Sequence, residues 1–136
     1  MNIYEKLQKI KLELLNSNLK KSGKNKFAGF DYFELCDFLP EIIKLCDKYK
    51  VCTVIGFNEN NATLAAIDCE AEESNKNAVV ITAPTAALEL KGSNAIQALG
   101  GVQTYMRRYL YMAMFDITEC DQFDATIGSA RREINK

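Results

Sequence analysis

Histidine and tryptophan are both missing from the 136 residues of this chain, and proline occurs only twice. Without histidine, Ser-His-Asp and Cys-His nucleophilic mechanisms and histidine-ligated metal centres are excluded. The five cysteines (Cys36, Cys46, Cys52, Cys69 and Cys120) are an odd number with no CxxC pair, so neither a disulfide framework nor a zinc site is indicated. Reduced and mostly buried thiols are the expectation, in keeping with the habits of free cysteine in a reducing compartment. No apolar run approaches the ~18 residues that cross a bilayer, and the N-terminus opens on an amphipathic pattern, not a basic-then-apolar signal. A soluble protein of the cytoplasm with no membrane association is therefore expected.

What is present suits a globular fold: 48% of residues are hydrophobic and 26% charged. The length allows one domain with a real core. We divide 1–136 into an N-terminal helix and basic loop over 1–26, a core over 27–125 and a frayed tail over 126–136. The net charge of −1 conceals an uneven distribution: residues 1–26 carry +5, residues 27–106 carry −6, and residues 107–136 balance. A nucleic-acid partner would therefore have to be met by local basic clusters. Two exist: Lys20, Lys21, Lys24 and Lys26, and the adjacent Arg107 and Arg108.

Ile3, Leu7, Ile10 and Leu14 recur at helical spacing and predict a first helix ending at Asn16. The lysine-rich stretch after it has no periodicity and reads as an exposed loop, for which solvation alone is a sufficient account. Asp31 and Glu34 resemble a capping box ahead of a second helix, in which Pro40 predicts a kink or a short first segment. Val51–Phe57, a run from Ala62, and Ala78 to about Ala83 predict three strands, the first two joined as a hairpin by Asn58–Asn61. In the second strand Thr63, Ala65, Ile67, Cys69 and Ala71 alternate with Asp68, Glu70 and Glu72, as in a sheet wetted on the acidic side. Ser93 or Asn94 then caps a long helix running to about Phe115. The fold class is α+β, with an antiparallel three-stranded sheet packed on a long C-terminal helix and two helices before it.

On that last helix, Gln97, Gly100, Gly101, Thr104, Arg107, Arg108 and Tyr111 fall within about 60° of one direction. Leu99, Val102, Met106, Leu110 and Ala113 lie opposite, with Tyr105 and Tyr109 on one flank. Helical glycine costs about 1 kcal/mol relative to alanine, so Gly100 and Gly101 suggest close approach by a backbone or ligand. A stripe of this kind suits phosphate contacts from Arg107 and Arg108, helped by Thr104 and Gln97, with Tyr105, Tyr109 and Tyr111 available for base stacking. Periodicity fits equally well with arginines paired to Asp116 and Glu119 and with tyrosines that belong to the core.

The run GVQTYMRRYLYMAMFDITECDQFDA, Gly101 to Ala125, resembles the signature of the ERF family, the essential-recombination-function single-strand annealing proteins of phages. Gly101, Thr104, Tyr105, Arg107, Arg108 and Tyr109 carry the likeness, followed by an apolar stretch and an acidic exit. Upstream, KFAGFDYFELCDFLPEI is similar to the family's aromatic segment, and the resemblance spans most of residues 26–125. It implies a β-β-β-α core related to Rad-fifty-two-type annealing proteins, assembly into homo-oligomeric rings or helices, and ATP-independent annealing of single-stranded DNA without a cofactor. A phage exonuclease or a single-strand-binding protein is the further partner class implied, and the bacterial host cytoplasm the compartment. The absence of a GxxxxGK[ST] phosphate loop agrees.

Two other functions compete with non-enzymatic annealing. An oligomeric adaptor or inhibitor would keep the fold and lose the DNA activity. A magnesium-dependent nuclease would use Asp116, Glu119, Asp121 and Asp124, although these acids have no basic or nucleophilic partner at a defined spacing.

Overall fold

Asn2 opens the first helix: its side chain accepts the N–H of Glu5, and the Glu5 carboxylate accepts the N–H of Asn2 in return. The computed structural model describes residues 1–72, 77–85 and 94–119. Helix α1 (Ile3–Asn16) buries the expected stripe of Ile3, Leu7, Ile10 and Leu14. A small hairpin follows, β1 (Gly23–Asn25) with β2 (Phe30–Tyr32), then helix α2 (Leu35–Tyr49). Lys50, at a left-handed φ of 58°, turns the chain directly into strand β3 (Val51–Phe57). Strands β4 (Asn61–Asp68) and β5 (Ala78–Pro84) complete a three-stranded antiparallel sheet in the order β3-β4-β5. Asn94 caps helix α3 (Ala95–Phe115) through Gln97.

The core lies between one face of the sheet and the three helices. Rows of paired residues, Ile55–Leu64–Ile81 and Phe57–Ala62–Ala83, point into it and meet Phe38, Ile42, Leu110, Met114 and Phe115. The outer face carries Cys52, Val54 and Gly56 on β3, Thr63, Ala65 and Ile67 on β4, and Ala78, Val80 and Thr82 on β5. None of these side chains is charged.

The α+β class, the three strands and the long final helix agree with the sequence pattern, while several local expectations are corrected. The lysine-rich stretch is no plain loop, because Gly23 to Asn25 pairs with Phe30 to Tyr32. With Asp31 held in β2, the cap moves on one turn, and the N–H of Glu34 donates to the Asp37 carboxylate at 2.8 Å. Pro40 neither splits nor delays α2, since it falls in the second turn, where its missing N–H leaves only the carbonyl of Cys36 without its helical partner. The faces of β4 are reversed: Ala62, Leu64, Ala66 and Asp68 are buried, and the Thr63, Ala65 and Ile67 set looks outward. Asp68 can turn inward because Lys6, itself only 2% exposed, reaches it at 2.7 Å and continues to Glu70 at 2.5 Å. Among the described thiols only Cys46 is buried, whereas Cys36, Cys52 and Cys69 are exposed. Cys120 and residues 126–136, expected to form a frayed tail, lie outside the described residues.

Candidate nucleic-acid interface

The β1–β2 hairpin is built around Asn25. Its side-chain oxygen accepts the N–H groups of Phe27 and Ala28 at 3.1 and 3.0 Å, and its carbonyl accepts the N–H of Gly29 at 2.9 Å. Gly29 supplies the positive φ of 71° that returns the chain into β2. The foot of the hairpin is tied to α2 by Asp37, whose carboxylate accepts both the N–H and the hydroxyl of Ser22 at 2.9 and 2.8 Å. Burial alone would raise the Asp37 pKa, yet these donors and the Glu34 N–H hold it below the usual carboxylate value. At Gly23 the chain passes so close to Tyr32 that an added Cβ would overlap its ring.

Arg108 joins this hairpin to α3. Its Nε donates to the carbonyl of Phe33 at 2.5 Å and its Nη2 to Glu119 at 2.8 Å, while the same Glu119 oxygen accepts the N–H of Phe33 at 3.1 Å. The Arg108–Glu119 pair thus grips one residue by both of its backbone groups. The guanidinium lies 4.9 Å from the ring centroids of both Tyr32 and Tyr109. Burial opposes its charge, but the hydrogen bond and charge of Glu119 outweigh that and raise its pKa.

Around this joint an open cleft of about 580 Å³ is lined by Lys24, Lys26, Phe27, Phe30, Tyr32, Tyr105, Arg108, Tyr109 and the side chains of Asn25 and Glu119. Tyr105 and Tyr109 stand 4.8 Å apart with their hydroxyls bonded at 3.2 Å, which raises the pKa of Tyr105. Both rings are about half exposed, at 52% and 44%. Two lysines, five aromatic rings and a floor of stacked guanidinium are therefore gathered from segments far apart in sequence.

The other candidates fall elsewhere. Arg107 is half-buried beside the Tyr111 ring, outside the cleft lining, and its Nε has no hydrogen-bond partner among the described residues. Tyr111 belongs to the core, 3% exposed with its hydroxyl 3.0 Å from that of Thr53, and offers no face to a ligand. Lys20 is exposed and Lys21 rests 5.5 Å above the Phe33 ring. The Gln97 side chain accepts the N–H of Asn94 at 3.2 Å and completes the α3 capping box, and the Thr104 hydroxyl donates to the Gly100 carbonyl. Among the described residues nothing lies within 4 Å of a Cβ added at Gly100, and both Gly100 and Gly101 are exposed. The apolar back of α3 is likewise uneven. Leu99 is exposed because the buried side chains concentrate in the last two turns, Leu110 to Phe115, where the helix is enclosed by sheet and helices; Ala113 is exposed even within that stretch.

Of the acidic exit, Asp116 pairs with Lys11 at 2.8 Å and Glu119 with Arg108, while Asp121 and Asp124 lie outside the described residues. Among the described residues no helix is long and apolar enough to cross a membrane.

The family model of the ERF superfamily matches residues 3–134, nearly the whole chain. This chain belongs to the ERF superfamily. ERF membership places it with proteins of phage-type recombination by single-strand annealing. No curated protein and no solved structure matches it. Within the ERF signature, Tyr105, Arg108 and Tyr109 border the cleft, and the upstream aromatic segment supplies its opposite wall with Phe27, Phe30 and Tyr32. Glu119 enters the sequence reading as a candidate metal ligand or arginine partner, whereas Phe27, Phe30 and Tyr32 carry no individual role there. The signal available for them was the density of rings between Lys26 and Glu34.

Proposed function

We propose that this ERF protein binds single-stranded DNA and anneals complementary strands without ATP, acting by binding and not by catalysis. The observation that carries it is the meeting of Lys24 and Lys26 with Tyr105 and Tyr109 across one open cleft. Cationic side chains neutralise phosphate and release counterions, while exposed rings stack on bases whatever their sequence. An open cleft leaves the outer edge of a bound strand free to pair. Phosphate contact falls to Lys24 and Lys26, with Lys20, Lys21 and Arg107 as outlying charges; Arg108 acts mainly by holding the hairpin to the helix. Self-assembly into a ring or helix is supported by the uncharged outer face of the sheet, since interface centres are poor in charge.

The test is annealing of two labelled complementary oligonucleotides without ATP or magnesium, beside a Lys24→Ala/Lys26→Ala double variant. Wild type should accelerate pairing. The variant should fold normally, bind more weakly, and show a salt dependence shallower by about 1.4 in the log–log slope. If wild type forms intact oligomers that neither bind nor anneal at low salt, the adaptor function replaces this one.

A further inference from the structure

Phe27 is completely exposed, at 105% of its reference area, and sits at the tip of the β1–β2 hairpin. Its neighbours do not leave it there by looseness. Two hydrogen bonds to Asn25, one of them from the N–H of Phe27 itself, and the Gly29 turn fix the backbone on either side. A phenylalanine held outward in an ordered turn forgoes the burial from which apolar side chains draw their stability. Among the described residues the strongly exposed aliphatic side chains lie on helix faces, as Leu15 and Ile96 do, on the sheet, as Val54 and Val80 do, or at the N-terminus, and none sits at a projecting tip. Phe27 borders the cleft next to Lys26, with the half-exposed Tyr105 and Tyr109 also in its lining.

We propose that Phe27 is a stacking wedge: its ring enters the bound strand between unpaired bases while Lys24 and Lys26 hold the flanking phosphates. The inference rests on the single-strand binding proposed above and adds the residue that separates the bases. Charge complementarity selects the occupant, because lysines bordering an aromatic tip suit a polymer in which phosphates alternate with planar rings. The wedge requires unstacked, accessible bases, so it favours single strands over duplex.

The chain has no tryptophan, so Phe27→Trp introduces a unique fluorophore at the tip. The variant would be titrated with a mixed-sequence oligonucleotide and with an abasic oligomer of the same length and charge, with binding followed independently by anisotropy of a labelled strand. The expected result is quenching of the introduced indole by the base-containing strand alone. Phe27→Ala and Phe27→Leu should lose roughly 5- to 150-fold in affinity at an unchanged salt slope. Wild-type affinity in Phe27→Ala, with wild type binding well, overturns the wedge and leaves the proposed function standing. A wild-type protein that binds no single strand at low salt overturns both. An emission shift that follows protein concentration without DNA, together with a change in mass, seats Phe27 on a second copy of the chain and also overturns the wedge.

Discussion

Replacing Arg108 by alanine separates a clamp from a phosphate ligand. The side chain is 8% exposed and makes one hydrogen bond to the Phe33 carbonyl and one to the Glu119 carboxylate, with two tyrosine rings at 4.9 Å. Removing it leaves a largely buried carboxylate with no cation and only the Phe33 N–H as donor, and a peptide carbonyl that has lost the guanidinium. Breaking a buried ion pair from one side costs about 3–5 kcal/mol, and the open cleft beside Glu119 places this case near ~3 kcal/mol. For a chain of this size that lowers Tm by about 10 °C. Arg108→Lys keeps the charge but not the planar fork or the stacking, so it should lose roughly half as much. Urea unfolding followed by circular dichroism measures both, with strand binding by anisotropy on the same samples. An Arg108→Ala protein with a wild-type unfolding midpoint and abolished DNA binding would refute the clamp and return Arg108 to the role of a phosphate contact.

Three further outcomes follow from the packing. Lys6 holds the Asp68 carboxyl below its ordinary value of 3.8, so the stability contributed by Asp68 is full well above that pH and is lost as pH falls through 3.8 and below; urea midpoints of wild type and Asp68→Asn should converge in acid and separate at neutrality. Gly23→Ala should push the Tyr32 ring off the Arg108 guanidinium, destabilising the protein by about 1–3 kcal/mol and weakening strand binding, a pairing of effects to be measured by melting and anisotropy. Burial raises the Cys46 thiol to about 11, so mass spectrometry after brief alkylation at pH 8 should find it unmodified in the folded protein and modified in urea, while Cys36, Cys52 and Cys69 react in both.

Periodicity located α1, β3, β5 and α3 almost to the residue, α1 by its one buried face and both helices by caps at Asn2 and Asn94, whereas β4 ends at Asp68, short of the Cys69 and Ala71 that its alternation included. It misjudged the facing of β4 because the charge on Asp68 marks a wet surface unless a buried cation answers it, and Lys6 lies 62 positions away. The short β1–β2 hairpin left no alternating signal, since three residues per strand are too few and its lysines resemble any solvated loop. At the site, the ERF-like run supplied Tyr105, Arg108 and Tyr109. Placing Arg107 and Arg108 on one wheel stripe did not reveal that one lies against the Tyr111 ring and the other grips the Phe33 backbone. Helical phase gives direction from the axis, and long side chains then settle according to tertiary partners that the phase does not contain.

The two walls of the cleft are joined by contacts spanning 75 residues, from Phe33 to Arg108, and 86 residues, from Phe33 to Glu119. During synthesis the lysine-bearing hairpin leaves the ribosome early, while Tyr105, Arg108 and Tyr109 emerge some 75 residues later with α3 and Glu119 only after that helix is complete. A nascent chain short of residue 119 therefore carries the hairpin lysines without the contacts that join the two walls, and the cleft forms only with the closing of one long loop.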